Sequence, residues 1–434
     1  MPARAYSWGR YPRVSQAVTT ILDRAAALPI FEGSALPHGN GRSYGDSCQN
    51  PGGTLLECRG LDRFIAFDPA SGRLACEAGV TLGEIIALVL PQGWFLPVTP
   101  GTRHVTVGGA IGNDVHGKNH HVAGTFGHHV LSFELLRSNG ERRLCRPGEA
   151  DGWFEASVGG LGLTGLITQA ELQLRRVPGS SLEVENIRFG HLEEFFTLSQ
   201  ESTGSHEYTV AWIDCLAHGR NLGRGHFTRA NHAVQDADER PAAPRALRAM
   251  PLTPPVSLVN RLSLRPFNAL YYWRQVAKRR RHASHLLPFF YPLDSISHWN
   301  RMYGPAGFLQ YQCVLPPQSA NDGIPALLQE IARSGQGSFL AVLKQFGARP
   351  SPGMLSFPRP GTTLALDFPN TGEPLAALLQ RLDQIVDAAG GAQYPAKDAR
   401  MTATSFQQAY PRWQDFRRFI DPRFSSGFWR RVTE

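Results

Sequence analysis

The chain has 434 residues, 42% of them hydrophobic and 18% charged, with a formal net charge of +8. That length exceeds one ordinary core and points to two domains of a soluble globular protein, while 44 glycines and 32 prolines imply many turns. No apolar run approaches a membrane span, the opening MPARAYSWGRYPRV lacks a leader core, and six scattered cysteines contain no CxxC pair, so a cytoplasmic protein without a zinc site or disulfide framework is expected.

The first informative stretch is GNGRSYGD at 39–46. Gly39, Gly41 and Gly45 permit close backbone approach and positive φ, so main-chain N–H groups could turn inward onto a diphosphate. No third glycine and no apolar helix follow at the required spacing, which argues against a nicotinamide-type Rossmann unit. Residues 54–79 read as antiparallel strands separated by Asp-Pro and Ser-Gly turns. At 81–94 the spacing puts Leu82, Ile85, Ile86 and Leu90 on one face of a short helix ending at Pro91. In PVTPGTRHVTVGGAIGNDVHGKNHH, 97–121, Thr106, Val107, Gly108 and Gly109 open a second short helix whose free N–H groups would favour an anion. Either glycine cluster alone could be a surface turn. Together, with HGK following, they read as one cradle for a large phosphate-bearing cofactor. His116, His120 and His121 cluster nearby, but no carboxylate or cysteine completes a ligand set, and no metal is expected. A hairpin about Ser138-Asn139-Gly140 and an alternating strand in LTGLITQAELQLRRVP close the unit near Pro178.

From about 180 a separate sheet begins with a strand, a helix and a second strand across LEVENIRFGHLEEFFTLSQES and EYTVAWIDCL. FLQYQCVLP, SFLAVLKQFG and TTLALDFPN are further strands. DGIPALLQEIARSG is a helix capped by Asn321 or Asp322, and EPLAALLQRLDQIVDAAGG another. The segment 393–422 has the polarity of a chain returning over a site and not of a core. The fold class is α+β. Residues 241–293 carry nine Lys or Arg and no Asp or Glu, one of them Arg245, flanked by LYYW and LLPFFYP. Anionic lipid headgroups would use both the charge and the aromatics. A loop of no special role is the plain alternative, and nucleic acid is not expected because no reader motif accompanies the charge.

In this order, GNGRSYGD, PGTRHVTVGGAIGNDVHGKNHH, GLGLTGLI, FLQYQCVLP, LAVLKQFG, LDFP and YPAKDAR resemble the flavoprotein family of decaprenylphosphoryl-β-D-ribose 2′-oxidase, within the vanillyl-alcohol-oxidase type of FAD enzymes. The resemblance covers most of the chain. It implies a two-domain PCMH-type FAD-binding fold, with an FAD domain from 1–179 and 391–434 around a substrate domain at 180–390 built on an antiparallel sheet covered by helices. It implies cofactor contacts at Pro37, His38, Gly39, Asn40, Gly41, Arg42, Ser43, Tyr44, Gly45, Asp46 and Ser47, at Gly101, at Thr106, Val107, Gly108 and Gly109, at Asn113, Asp114, Val115 and His116, and at Ile167 and Tyr394. Lys397, His116 and Tyr44 would be catalytic, with Lys397 meeting the substrate hydroxyl. Lys118, Trp212, Gln310, Gln312, Lys344, Thr363 and Ala365 would contact substrate, Lys118 and Lys344 as phosphate or flavin partners.

One departure stands out. Ala365 occupies a place where the family commonly carries cysteine, and Thr363 one where asparagine is usual. Alanine cannot form the thiol adduct exploited by covalent inhibitors, and the sugar or its lipid carrier comes into question. The implied activity is FAD-dependent oxidation of the C2 hydroxyl of a polyprenyl-phosphate pentose in cell-envelope polysaccharide biosynthesis, with a short-chain dehydrogenase/reductase as partner and 241–293 docking peripherally at the inner membrane face. A soluble oxidase of free alditols or sugar lactones is the second enzyme reading, and a basic, colourless binding protein the non-catalytic one.

Many relatives in the wider superfamily tether FAD through a histidine after the first glycine pair. Here Arg42 holds that place, so FAD is expected to be non-covalent, with His116 the residue through which a link remains conceivable. Acid precipitation should release yellow flavin into the supernatant; fluorescence staying with the denatured band would show a covalent bond.

Overall fold

The computed structural model describes residues 6–233 and 248–433, which leaves Arg245 outside the described residues. Three larger sheets organise them, beside two two-stranded ones. Strands β1 (Ala17–Thr20), β2 (Ala35–His38) and β3 (Thr54–Glu57) form a parallel sheet in the order β1-β3-β2. This corrects the antiparallel expectation for 54–57. Thr54, Leu55 and Leu56 are all buried, so the strand carries no alternation, and its pairing is set by distant segments and not by a local turn.

The expected hairpins do form. Strands β4 (Phe64–Asp68), β5 (Arg73–Glu77), β6 (Val130–Leu136), β7 (Arg142–Cys145) and β8 (Leu166–Gln173) build an antiparallel sheet in the order β4-β5-β8-β6-β7. Against it pack helix α1 (Leu82–Val89), started by a reciprocal Thr81–Glu84 capping box, and helix α2 (Val107–Gly112), capped by the Thr106 hydroxyl.

The third sheet has eight antiparallel strands: β9 (Ser181–Phe189), β10 (Tyr208–Ile213), β11 (Gly225–His232), β12 (Arg279–His285), β13 (Phe308–Leu315), β14 (Ala341–Phe346), β15 (Gly361–Pro369) and β16 (Ala392–Gln393), in the order β12-β9-β11-β10-β14-β15-β13-β16. Helices α3 (Leu192–Ser202), α4 (Arg261–Trp273), α5 (Pro317–Ser334) and α6 (Glu373–Ala388) accompany it. Alternation along β15 decides which face does what. Leu364, Leu366 and Phe368 share a core with Leu327 and Ile331 of α5 and with Leu378 and Leu382 of α6. Thr363, Ala365 and Asp367 therefore point the other way. Helix α5 begins at Pro317, earlier than the expected caps Asn321 and Asp322, which lie inside it. A proline in the first turn has φ already set and gives up no hydrogen bond, so the helix starts without a side-chain cap.

The chain end departs most from expectation. Residues 393–422 do return to the N-terminal part, yet they build a core: Met401, Phe406, Tyr410, Phe416 and Phe419 are buried with Leu36, Leu55 and Phe357. Phe406 sits on helix α7 (Ala403–Ala409) and Phe416 on helix α8 (Trp413–Arg417), with Met401, Tyr410 and Phe419 flanking them, and each helix is too short to display a periodic apolar face in sequence. A last helix, α9 (Gly427–Thr433), brings Arg431 to both Asp46 and Asp398 at 2.8 Å.

The returning chain lies so close to the glycine turn that a Cβ on Gly45 would fall 1.5 Å from the Asp398 carbonyl oxygen. Gly45→Ala should lower stability by about 2 kcal/mol or more, because the obstacle is backbone and cannot rotate away. Gly204→Ala, where an added Cβ meets nothing within 4 Å, should change little. Thermal unfolding and flavin content of both variants decide it; equal behaviour would refute the tight fit.

Candidate active site

A cavity of 480 Å³ lies where the glycine turn, α2, the returning C-terminal chain and the polar face of β13, β14 and β15 meet. Pro37, His38, Gly39, Asn40, Gly41, Arg42, Ser43, Tyr44 and Ser47 line it, with Gly101, Thr106, Gly108, Gly109, Asn113, Val115, His116 and Ile167. The C-terminal chain adds Tyr394 and Lys397, and the eight-stranded sheet adds Gln310, Gln312, Lys344, Thr363 and Ala365. Residues expected from both halves of the sequence thus converge on one volume.

The backbone at one end fits a diphosphate. The amides of Gly39, Asn40, Gly41, Arg42 and Ser43 donate to no partner among the described residues. Gly41 holds φ +58, and a Cβ on Gly39 would meet the Thr106 hydroxyl oxygen at 2.3 Å. Consecutive free N–H groups on a cavity wall make a concave anion site. The start of α2 does not supply one, contrary to expectation. Its Val107 and Gly108 amides donate to the carbonyls of Val80 and Ala78, both at 2.8 Å, and Gly109 donates to Thr106 Oγ1 at 3.2 Å. Gly108 and Gly109 instead let the helix pack closely, since Cβ atoms there would lie 3.2 Å from Ala78 Cβ and 3.0 Å from Thr106 Oγ1.

Six expected residues do not line the cavity. Gly45 and Asp46 hold the returning chain, as described above. Val107 is wholly buried in the α2 core. Asp114 accepts from the Gly127 amide at 2.9 Å and from Ser356 Oγ at 2.5 Å, and burial raises its carboxyl to about 6; it anchors the loop behind His116. Lys118 donates to the carbonyls of Phe289 at 2.6 Å and Phe290 at 3.2 Å with its ammonium over both rings, so two of its three donors are taken away from the cavity. Trp212 donates from its indole to the Phe339 carbonyl at 2.8 Å and packs on Tyr271.

At the polar end the side chains form one connected set. His116 Nδ1 lies 3.1 Å from Lys344 Nζ, and its Nε2 lies 3.1 Å from the Gln312 amide, which also reaches Thr363 Oγ1 at 3.3 Å. Burial and the nearby Lys344, His120 and Lys397 push the imidazole well below its ordinary pKa, so it is neutral. A neutral ring has one donor and one acceptor. When Lys344 is charged it can only donate to Nδ1, and Nε2–H must then meet the Gln312 carbonyl oxygen; only when Lys344 is neutral can it accept from Nδ1–H, with the Gln312 amide N–H facing Nε2. Burial and Lys397 pull Lys344 down to about 7, so the tautomer of His116 is tied to the charge of that lysine near neutrality.

Lys397 stands with Nζ 3.8 Å from the Tyr44 ring centroid, and Tyr44 is fixed by its own amide donating to the Ala396 carbonyl at 2.9 Å. Burial lowers the Lys397 pKa to about 7, opposed by Asp367. Asp367 went unnoticed in the sequence, although it falls two residues beyond Ala365 on the same strand face. Its Oδ1 accepts from Gln310 Nε2 at 2.6 Å, its Oδ2 is buried without a hydrogen-bond partner among the described residues, and burial raises the carboxyl to about 7 against the pull of Gln310 and Lys397. Residues 293–299 were also missed. All but Ser295 line the cavity, and Asp294 ties them to the cofactor side by accepting from the Arg103 amide at 2.9 Å. Nothing in their composition marks them, because the contact is made by position alone.

The arrangement joins an amine of near-neutral pKa, a neutral imidazole, two carboxamides and an anion-accepting backbone. The comparisons agree with that chemistry. The FAD binding domain family matches residues 11–146. A decaprenylphosphoryl-β-D-ribose oxidase of Mycolicibacterium smegmatis is 38% identical over 453 residues, covering 99% of this chain and 97% of that protein. An uncharacterized protein in the mprA 5′ region of Streptomyces coelicolor is 37% identical over 369 residues, covering 81% of this chain and all of that protein. The Δ(24)-sterol reductase of Macaca fascicularis is 32% identical over 124 residues, 26% of this chain and 24% of that one. This α+β chain is an FAD-dependent oxidoreductase with a PCMH-type FAD-binding fold, and it belongs to the decaprenylphosphoryl-β-D-ribose oxidase family.

Proposed function

We propose that the chain oxidises the C2 hydroxyl of a polyprenyl-phosphate-linked pentose to a keto sugar, which a separate short-chain dehydrogenase/reductase returns with inverted configuration. The observation that carries this reading is Lys397, a buried amine brought near neutrality and set on Tyr44 opposite a wall of Gln310, Gln312, Lys344 and Thr363. The relative that aligns across nearly the whole chain supports the substrate class.

FAD, when bound, supplies the acceptor for the hydride that leaves the substrate carbon. The free amides of 39–43 would hold its diphosphate. Oxidation also releases the hydroxyl proton, and the neutral amine of Lys397 takes it. Asp367 restrains the fall of the Lys397 pKa and fixes Gln310, so the amine stays basic enough to accept. Lys344, held between His116 and the Gly117 carbonyl, offers its charge to the sugar phosphate. The residence proposed with this activity is cytoplasmic and peripheral on the inner membrane face; among the described residues no helix is long and apolar enough to cross a membrane.

Assayed with an artificial electron acceptor, the enzyme should turn over polyprenyl-phosphate pentoses and leave free sugars untouched. Turnover of free alditols or lactones with peroxide release would replace this reading with that of a soluble oxidase.

The base must be deprotonated to act, and burial places Lys397 at about 7. Hence kcat/KM should be low in acid, rise through neutral pH and then level off. Lys397→Arg, which cannot give up its proton, should cut kcat by about 10²- to 10⁴-fold. Asp367→Asn removes the anion that raises Lys397, so the ascending limb should move to lower pH. A limb that keeps its position in that variant would show that the two groups do not interact.

A further inference from the structure

Fourteen large hydrophobic side chains are exposed among the described residues, and eight of them fall between Leu252 and Val276, so exposed apolar side chains are concentrated in one stretch of the chain. Helix α4 is its centre. The helix docks through Leu264, Asn268 and Tyr272, with Asn268 donating to Asp214 at 3.0 Å. On the opposite face Leu262 is 88% exposed, Leu270 73% and Trp273 57%, with Pro266 between them at helical spacing. Arg265 and Arg274 bracket this stripe.

Beside the helix in sequence comes β12, the edge strand of the eight-stranded sheet, with Arg279, Arg280 and Arg281 exposed. Arg281 pairs with Glu185 and Lys278 with Glu194, but Arg265, Arg279 and Arg280 have no ion pair among the described residues. From 248 to 285 there are eight Lys or Arg and no Asp or Glu. Basic side chains on a sheet edge would by themselves be explained as a guard against edge pairing. They do not explain an outward leucine and tryptophan stripe between arginines. A surface that offers apolar depth and dense phosphate together satisfies both, and that surface is an anionic bilayer.

We infer that α4 lies in the interface plane of an anionic membrane, with Leu262, Leu270 and Trp273 among the acyl chains and Arg265, Arg279 and Arg280 on lipid phosphates. The inference names the docking element of the peripheral residence proposed above and rests on that reading. The inner edge of α4 also reaches the cavity wall. Phe267 packs on Phe339 with ring centroids 4.3 Å apart, and the next residue, Leu340, lines the cavity. A lipid tail leaving the site along that wall would arrive at the docked face.

The test is flotation of the flavin-loaded full chain with phosphatidylglycerol-containing vesicles and with pure phosphatidylcholine vesicles. Wild type should float with the first at least about tenfold better, and less so in high salt. The double variant Leu270→Ser, Trp273→Ser should lose about tenfold or more of that partitioning. The triple variant Arg265→Gln, Arg279→Gln, Arg280→Gln should lose roughly 100-fold at low salt. Flavin absorbance and thermal unfolding like wild type would establish that the variants are folded. Wild type remaining unbound, variants floating like wild type, or a lipid-free dimer that the leucine and tryptophan changes convert to monomer would each overturn the inference. No turnover is measured, so failure here is distinct from failure of the substrate reading, which the lipid-linked sugar assay decides.

Discussion

The structure depends on one close backbone approach, that of the returning C-terminal chain to the glycine turn at 39–46. Tyr44 donates its amide to Ala396, Gly45 has no room for a side chain beside Asp398, and Arg431 clamps Asp46 to Asp398. The contact joins residues more than 350 positions apart in sequence, a closure whose entropy cost grows only slowly with length. It also explains why the turn and the amine belong together. Lys397 is one residue from the backbone that holds Tyr44, so whatever positions the free amides of 39–43 positions the candidate base as well.

Given that geometry, the electrostatics follow from crowding like charges in a place with little water. Lys344 and Lys397 each fall to about 7 through burial, and Lys344 is pushed further by its neighbour, while His116 is kept neutral by burial first and by both lysines in addition. Asp367 is the counterweight. Its unpartnered oxygen would be costly to keep as an anion, and the carboxyl rises accordingly. The cavity therefore gathers groups that change charge near neutral pH, which suits a site that must take up one proton per hydride released.

Much of this was legible in the chain, and the failures have physical causes. Glycines at 39, 41 and 45 announced a backbone site because few structures other than close approaches tolerate them. The Ser138-Asn139-Gly140 hairpin and the amphipathic helix within 81–94 were legible because their signals are local. The pairing of β3 was not, because a strand buried on both sides has no alternation and its partners come from afar. The core role of 393–422 was hidden because short helices distribute a few aromatics among many polar residues. At α2 the glycine pattern suggested free amides, but Ala78 and Val80 had already taken them, a contact that depends on tertiary placement. Asp367 could have been found by counting in twos from Thr363 through Ala365.

That same strand carries Thr363 and Ala365, where the family resemblance implies asparagine and cysteine, and their places separate two consequences. Thr363 pairs in register with Lys344 and meets Gln312, which in turn contacts His116, so a change there reaches the hydrogen-bonded set that fixes the imidazole. Ala365 pairs with Val342 on one side and Gln312 on the other, and both line the cavity with it. A methyl group there adds no donor, acceptor or nucleophile and leaves the wall smoother and less polar. Among the described residues neither position hydrogen-bonds to the side chain of Lys397 or Asp367, so that pair is unaltered while the wall beside it is reshaped. The departure therefore acts on the shape and polarity of the wall, and it leaves Lys397 and Asp367 where the rest of the cavity puts them.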